Sequence, residues 1–316
     1  MFENKIRKNY NKSILTILCL LFFVVFASVL EAQNSPLAAG VWRKVFVSKQ
    51  GMYQITGTTM KSWGWNLSSI NPNTIKVFGN HGGMLPEAND VSRPANLLEN
   101  AIYINDGGDD VFNENDYISF YAEGPHKFLF DSFSKKYQHQ TNIYSDVTAY
   151  FITYGGVAGK RIGTAVNPVG SPSATYNTYD FKYFYEKELH KIWHSGREYH
   201  GEDFSQSGSK SFPINVVSPV DNATVKIKLA MAGKGVSSTA VCSFNGQNFA
   251  TITGLYGIED NIDAPKYSEF LVQNDLKINS SNNNLQILFN KGGDNSVGYL
   301  NYFEFFTDAY LVNQGF

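Results

Sequence analysis

Apolar residues along this chain recur mostly every second position. In TVKIKLAMAG (224–233), NLQILFNK (284–291) and VGYLNYFEFF (297–306) they alternate with polar neighbours, the period of a half-buried strand. SFPINVV (211–217), STAVCSFNG (238–246) and QNFATITG (247–254) follow the same rule. Gly, Asn, Asp and Pro separate these runs at short intervals, which predicts a β-sandwich of jelly-roll type over 206–316.

The first half alternates too, less regularly. VWRKVFVSKQGMYQI (41–55) predicts two strands around a Gln50-Gly51 turn, with Val45 and Val47 on one arm and Tyr53 and Ile55 on the other. Thr56 to Trp65 is the best helix candidate, capped by Thr56 or Thr58, with Met60 and Trp63 on one face. Strands are expected at Thr74–Phe78, at YISFYAEG (117–124) and at Ala149–Tyr154. Residues 166–178, rich in Pro, Gly, Ser and Thr, begin a connector. The aromatic and charged stretch 179–204 is expected to include a helical turn at Glu186–Trp193. The expected organisation is a leader over 1–32, a mixed β-rich domain over 33–165, a connector over 166–205 and a β-sandwich over 206–316, mostly β throughout.

Composition narrows the function classes. The formal net charge of −2 provides no basic stripe, so a nucleic-acid partner is not expected. Lys5, Arg7, Lys8 and Lys12 precede an uncharged apolar run from Ile14 to Leu30, and Ala32 supplies a small residue at a cleavage point. That is the pattern of a secretory signal peptide, with no transmembrane segment expected after its removal. Cys242 is then the one cysteine left, and no internal disulfide can form.

Three candidate sites follow from residue chemistry. Asp106, Asp109, Asp110, Asn113 and Asp116 crowd hard oxygen donors into a turn with Gly107 and Gly108. Calcium suits such a donor set, although the spacing is not that of an EF-hand. The competing reading is a solvated acidic turn between strands. Second, Arg197 and Glu202, flanked by Gly196 and Gly201, can pair as a structural clamp. Third, His190 and His194 would share a helical face, but without the HExxH pattern of a zinc site. Cys242 lies on an alternating run without a local base, which reads as packing rather than catalysis. His81-Gly82-Gly83 reads as a tight turn.

The order of short motifs carries a resemblance. GMYQIT (51–56), IKVFGNHGGMLPE (75–87), RPANLLENAIYI (93–104), DYISFYAEGP (116–125), NIYSDVTAYFIT (142–153), SGREYHGEDF (195–204) and LNYFEFF (300–306) occur in this sequence in that order. Together they resemble the N-terminal, pre-catalytic region of the type IX secretion system sortases, gingipain-family cysteine peptidases of Bacteroidetes. The resemblance implies a protein at the cell surface and outer membrane, working with other type IX secretion components. It also implies that the catalytic Cys and His belong to a caspase-like peptidase domain following the sandwich, whereas this chain stops at Phe316. No residue here matches the catalytic motif, so the chain alone is expected to be inactive and to require no cofactor beyond the calcium question. The alternative expectation is a secreted β-sandwich module that binds glycan or protein without catalysis.

Overall fold

The computed structural model describes residues 35–133, 136–166, 169–192, 199–206, 208–257 and 267–312, with 267–275 described by backbone alone. The leader predicted over 1–32 lies outside these residues. The chain is mostly β and divides into two compact units, Met1–Val166 and Asn167–Phe316.

In the first unit the strands are β1 (Trp42–Val47), β2 (Gly51–Thr56), β3 (Lys76–Phe78), β4 (Glu99–Asn100), β5 (Ile102–Asn105), β6 (Tyr117–Ala122), β7 (Lys127–Asp131), β8 (Lys136–Gln140) and β9 (Thr148–Thr153). They form a sheet in the order β1-β9-β3-β4, a second in the order β2-β6-β5, and the separate hairpin β7-β8. β1 and β2 flank the expected turn but do not pair with each other. β1 pairs with β9 and β2 with β6, so the turn carries the chain from one sheet to the next. Alternation explains the core: Val47, Val77, Tyr150 and Ile152 from one sheet are buried with Ile55, Ile102, Ile118 and Phe120 from the other. Phe120 and Tyr150 meet at 5.5 Å. The helix α1 is shorter than the pattern predicted, Gly57–Ser62, and Thr56 caps it by accepting the Thr59 N–H. Met60 is fully buried beneath it.

The second unit contains β10 (Thr178–Glu186), β11 (Ser209–Asn215), β12 (Ala223–Phe244), β13 (Gln247–Gly257), β14 (Tyr267–Ile278), β15 (Asn282–Asn290) and β16 (Val297–Tyr310). At 22 residues, β12 is long enough to serve two layers. Its first half lies between β14 and β16, with β10 beyond β16. Its second half lies between β13 and β15, with β11 beyond β15. Each layer therefore has four antiparallel strands, and the layers close on one core in which Phe244 meets Phe305 at 5.6 Å.

Glycine makes the corner of β12. Gly235 has φ +83, and a Cβ at Gly233 would run into the Leu255 backbone. The pairing register shifts on either side of Ser238. In β16 a bulge at Asn301 changes the phase of alternation. Ala230 opposes Tyr302 and Met231 opposes Leu300, so Leu300 and Phe303, three apart, both face the core.

No helical turn forms over Glu186–Ile192, against the expectation from the sequence. The stretch expected to hold a helical turn begins as β10, paired with β16 from Thr178↔Tyr310 to Glu186↔Tyr302. From Lys187 to Ile192 the backbone is not helical, and His190 forms a bridge to His200. Phe181, Tyr183 and Tyr185 pack on the core while the intervening residues are half-covered on the other face, which blurred the alternation.

Candidate functional site

The acidic loop runs from β5 to β6. Four of the five predicted donors there, Asp106, Asp109, Asn113 and Asp116, are engaged by the loop's own backbone. Asp106 Oδ1 accepts the Gly108 N–H at 3.1 Å, and Asp109 Oδ1 accepts the Val111 N–H at 3.0 Å. Asn113 Oδ1 accepts the Asn115 N–H at 3.0 Å, and Asp116 Oδ2 accepts the Asn113 N–H at 2.6 Å. The first three are Asx turns, and the fourth reaches three residues back along the chain; both are local uses that Asp and Asn favour. Asp110 is exposed at φ +59, between the glycine turn and the buried Phe112.

The second half of the loop also closes the start of α1. The Glu114 and Asp116 carbonyls accept the Thr58 and Gly57 N–H groups at 3.1 and 2.7 Å. They thereby satisfy donors that a helix start leaves free. Lys61 pairs with the Glu114 carboxylate. A Cβ at Gly57 would run into the Asn113 carbonyl, so only glycine admits this approach. Among the described residues, no three His, Cys, Asp or Glu side chains converge on a position that could hold a metal ion.

The second candidate lies where residues 199–204 fold back beside β16. The Gly201 N–H donates to the Leu300 carbonyl at 2.7 Å, the Leu300 N–H to the Glu202 carbonyl at 3.0 Å, and the Phe204 N–H to the Gly298 carbonyl at 2.9 Å. Gly201 lets the backbone approach closely, since a Cβ there would sit a tight 3.1 Å from the Lys187 carbonyl. Arg197, the predicted clamp partner of Glu202, lies outside the described residues, as does His194.

Glu202 receives Lys187 Nζ at 2.8 Å and the Tyr185 hydroxyl, both on the same carboxylate oxygen. Burial pushes its carboxyl upward, but the hydrogen bonds from Lys187 and Tyr185 outweigh burial and hold it below the ordinary value. Its other oxygen, Oε2, is buried without a hydrogen-bond partner among the described residues. Lys187 is held above its ordinary value by the same hydrogen bonds, and Tyr185 is raised by burial and by Glu202.

Next to this group, His190 Nε2 lies 3.4 Å from Asp203 Oδ2, while Asp203 Oδ1 accepts from the Ser205 hydroxyl and N–H. His200 is fully buried, and burial pushes it down to about 4. The arrangement fastens residues 199–204 to the ends of β10 and β16. The sequence reading found Glu202 and missed Lys187 and Tyr185. Alternation in YFYEK was the available signal, since it places Tyr185 and Lys187 on one face.

Cys242 belongs to neither group. It is 1% exposed within the sandwich core, and burial pushes its thiol up to about 12. A thiol held protonated is not a nucleophile at neutral pH.

The architecture carrying these residues is a two-unit, β-rich one whose second unit is a four-on-four sandwich. The solved structure of dimeric latent PorU from Porphyromonas gingivalis has a similar architecture, with a TM-score of 0.71 and 23% identity over 90% of this chain. At that identity the likeness is one of fold. The chain spans about a quarter (26%) of the length of that PorU chain. A carbohydrate-binding module of family CBM36, solved with calcium and xylotriose, gives a TM-score of 0.28 and 12% identity over 39% of this chain and 98% of its own. The δ-endotoxin Cry8Ea1 of Bacillus thuringiensis gives 0.28 and 11% over 79% of this chain and 44% of its own. Likeness that slight carries no argument. No family model and no curated protein matches the sequence.

Proposed function

We propose that this chain is the non-catalytic N-terminal region of a PorU-like surface sortase, which trims secreted cargo of the type IX system and attaches it to the cell surface. The observation that carries this reading is the likeness in fold to one part of PorU across 90% of this chain. On this reading the two units support and position a peptidase domain and supply none of its reacting groups. The core position of Cys242 accords with that. The basic and apolar leader accords with export, and among the described residues no helix is long and apolar enough to cross a membrane.

The test is deletion of the gene in its host, followed by examination of type IX cargo. Cargo is expected to keep its C-terminal sorting domain and to shed into the medium instead of staying on the cell. Normal trimming and attachment in the deletion strain would end the reading.

A second reading, a secreted module binding glycan or protein, has one observation in its favour. The outer face of the β1-β9-β3 sheet carries Trp42, Phe46, Phe78 and Phe151, with Trp42 and Phe78 at 5.3 Å and Lys44 Nζ 4.8 Å from the Phe46 ring. Trp42→Ala should abolish retention on a glycan or protein array if that face binds. If the wild-type protein is retained by nothing on such arrays, this second reading falls.

A further inference from the structure

The β7-β8 hairpin of the first unit stands on two imidazoles that neither candidate site uses. His126 precedes β7 and His139 lies on β8, with ring centroids 6.0 Å apart. Phe128 packs edge-on to His139 at 4.9 Å. His126 Nδ1 accepts the backbone N–H of Asn142 at 3.0 Å. A donor at Nδ1 fixes the neutral ring with its proton on Nε2. A second proton has only Nδ1 to occupy, where it would confront the Asn142 hydrogen. His139 Nδ1 lies 3.3 Å from the Thr141 hydroxyl, in the same segment. That segment is tied to the Gly82-Gly83 turn, since Asn142 Nδ2 donates to the Gly83 carbonyl at 3.4 Å.

The charged neighbours fall into two groups. Asp146 Oδ1 lies 4.0 Å from His126 Nε2, but its side chain is 97% exposed and its attraction is screened. Glu123 pairs with Lys127, at the start of β7, and with His81 at 3.4 Å, on the side of the glycine turn.

We propose that His126 and His139 form an acid-released latch: protonation of His126 expels the Asn142 N–H and frees residues 141–147 and the hairpin from the Gly82-Gly83 turn. Two imidazolium rings at this separation would also repel each other. Burial already holds His126 below its ordinary value of 6.5, the direction that Asp146 opposes. Burial, reinforced by His126, pushes His139 down to about 4. Both rings are therefore neutral when the hairpin is docked and bind protons more readily when it is not. The stabilisation they provide is complete above pH 6.5 and is lost as pH falls from there toward about 4.

The Glu123–Lys127 pair persists over most of this range. Burial raises the Glu123 carboxyl, but Lys127 and His81 outweigh burial and hold it below its ordinary value of 4.5. The persisting pair keeps the base of β7 tethered, so release is confined to the rest of the hairpin, which carries the exposed Leu129, Phe130 and Phe133. What the latch controls is the placement of that apolar surface.

Hydrogen exchange on the full chain at pH 7.5 and 5.0, corrected for the intrinsic rate, tests this. Protection in β7, β8 and residues 141–147 is expected to fall at least tenfold at the lower pH, while β12 and β16 keep theirs. The double variant His126→Asn/His139→Asn keeps an acceptor near each δ position that does not titrate, and should stay protected at both pH values. Equal wild-type protection at the two pH values, or equal loss in the variant, overturns the latch. Should the variant fail to fold, ring titrations of the wild type by NMR decide. Both rings must titrate below 6.5, and either one at or above that value overturns the proposal.

Discussion

The acidic loop of the first unit and the Glu202 turn of the second hold carboxylates in opposite ways. The loop has more of them, yet Asp106 and Asp109 are each engaged by an N–H two residues on. The turn centres on one carboxylate, but that one is largely buried and gathers a cation and a phenol from β10 and its end. The density of acidic residues describes a surface; burial together with a partner distant in sequence makes a joint. Both stretches fasten a loop to a regular element, the first through backbone carbonyls to α1 and the second through a side chain to β10.

The largest expected effect falls on the backbone joint. Gly57→Ala places a methyl group against the Asn113 carbonyl, and backbone rather than a flexible side chain must yield. Overpacking of this kind costs about 3 kcal/mol. A thermal melt should show a clear loss for Gly57→Ala. A change within error would mean that the loop does not grip the helix start.

The side-chain joint should give smaller and asymmetric losses. Lys187→Met leaves a largely buried carboxylate whose remaining partner among the described residues is Tyr185, at about 2 kcal/mol, below the range for fully buried pairs because Lys187 is half exposed. Glu202→Gln leaves an ammonium that can reach water, at about 1 kcal/mol. The pH dependence has a definite sign. In the wild type Glu202 is held below 4.5, so its contribution is present above that pH and is lost as pH falls through the lowered value. Without Lys187 its hydrogen bond and charge no longer hold the carboxyl down, so the carboxyl rises relative to the wild type and the variant's deficit should shrink as pH falls. Equal losses for the two variants, or a deficit independent of pH, would show the turn held by its backbone bridges alone.

The contrast also explains what was legible in the sequence. Class was plain from TVKIKLAMAG and NLQILFNK, because a sandwich needs one buried face and alternation reports it. The double use of β12 was not plain, since Gly233 and Gly235 look like the end of a strand and act as a corner within one. Loop donors could be seen as residue types, but Asx turns and a calcium shell use the same types. Glu202 stood out through its glycines, while its partner Lys187 is set by the His190–His200 bridge, a register that local pattern does not encode.

The remaining stability effects separate the two uses of the loop. Asp116 is 5% exposed and holds the Asn113 N–H, so Asp116→Ala should cost about 1–2 kcal/mol by leaving that donor without its acceptor. Calcium at millimolar concentration, against a magnesium control, should not move the melting temperature of the wild type. Among the described residues no three acidic side chains converge there, so assembling a cation shell would require the loop to rearrange, and that cost opposes whatever the ion contributes. A calcium-specific rise that Asp116→Ala abolishes would reverse the argument. The loop would then be a cation site held closed by its own turns, and the difference between the two stretches would lie in what each one waits to bind.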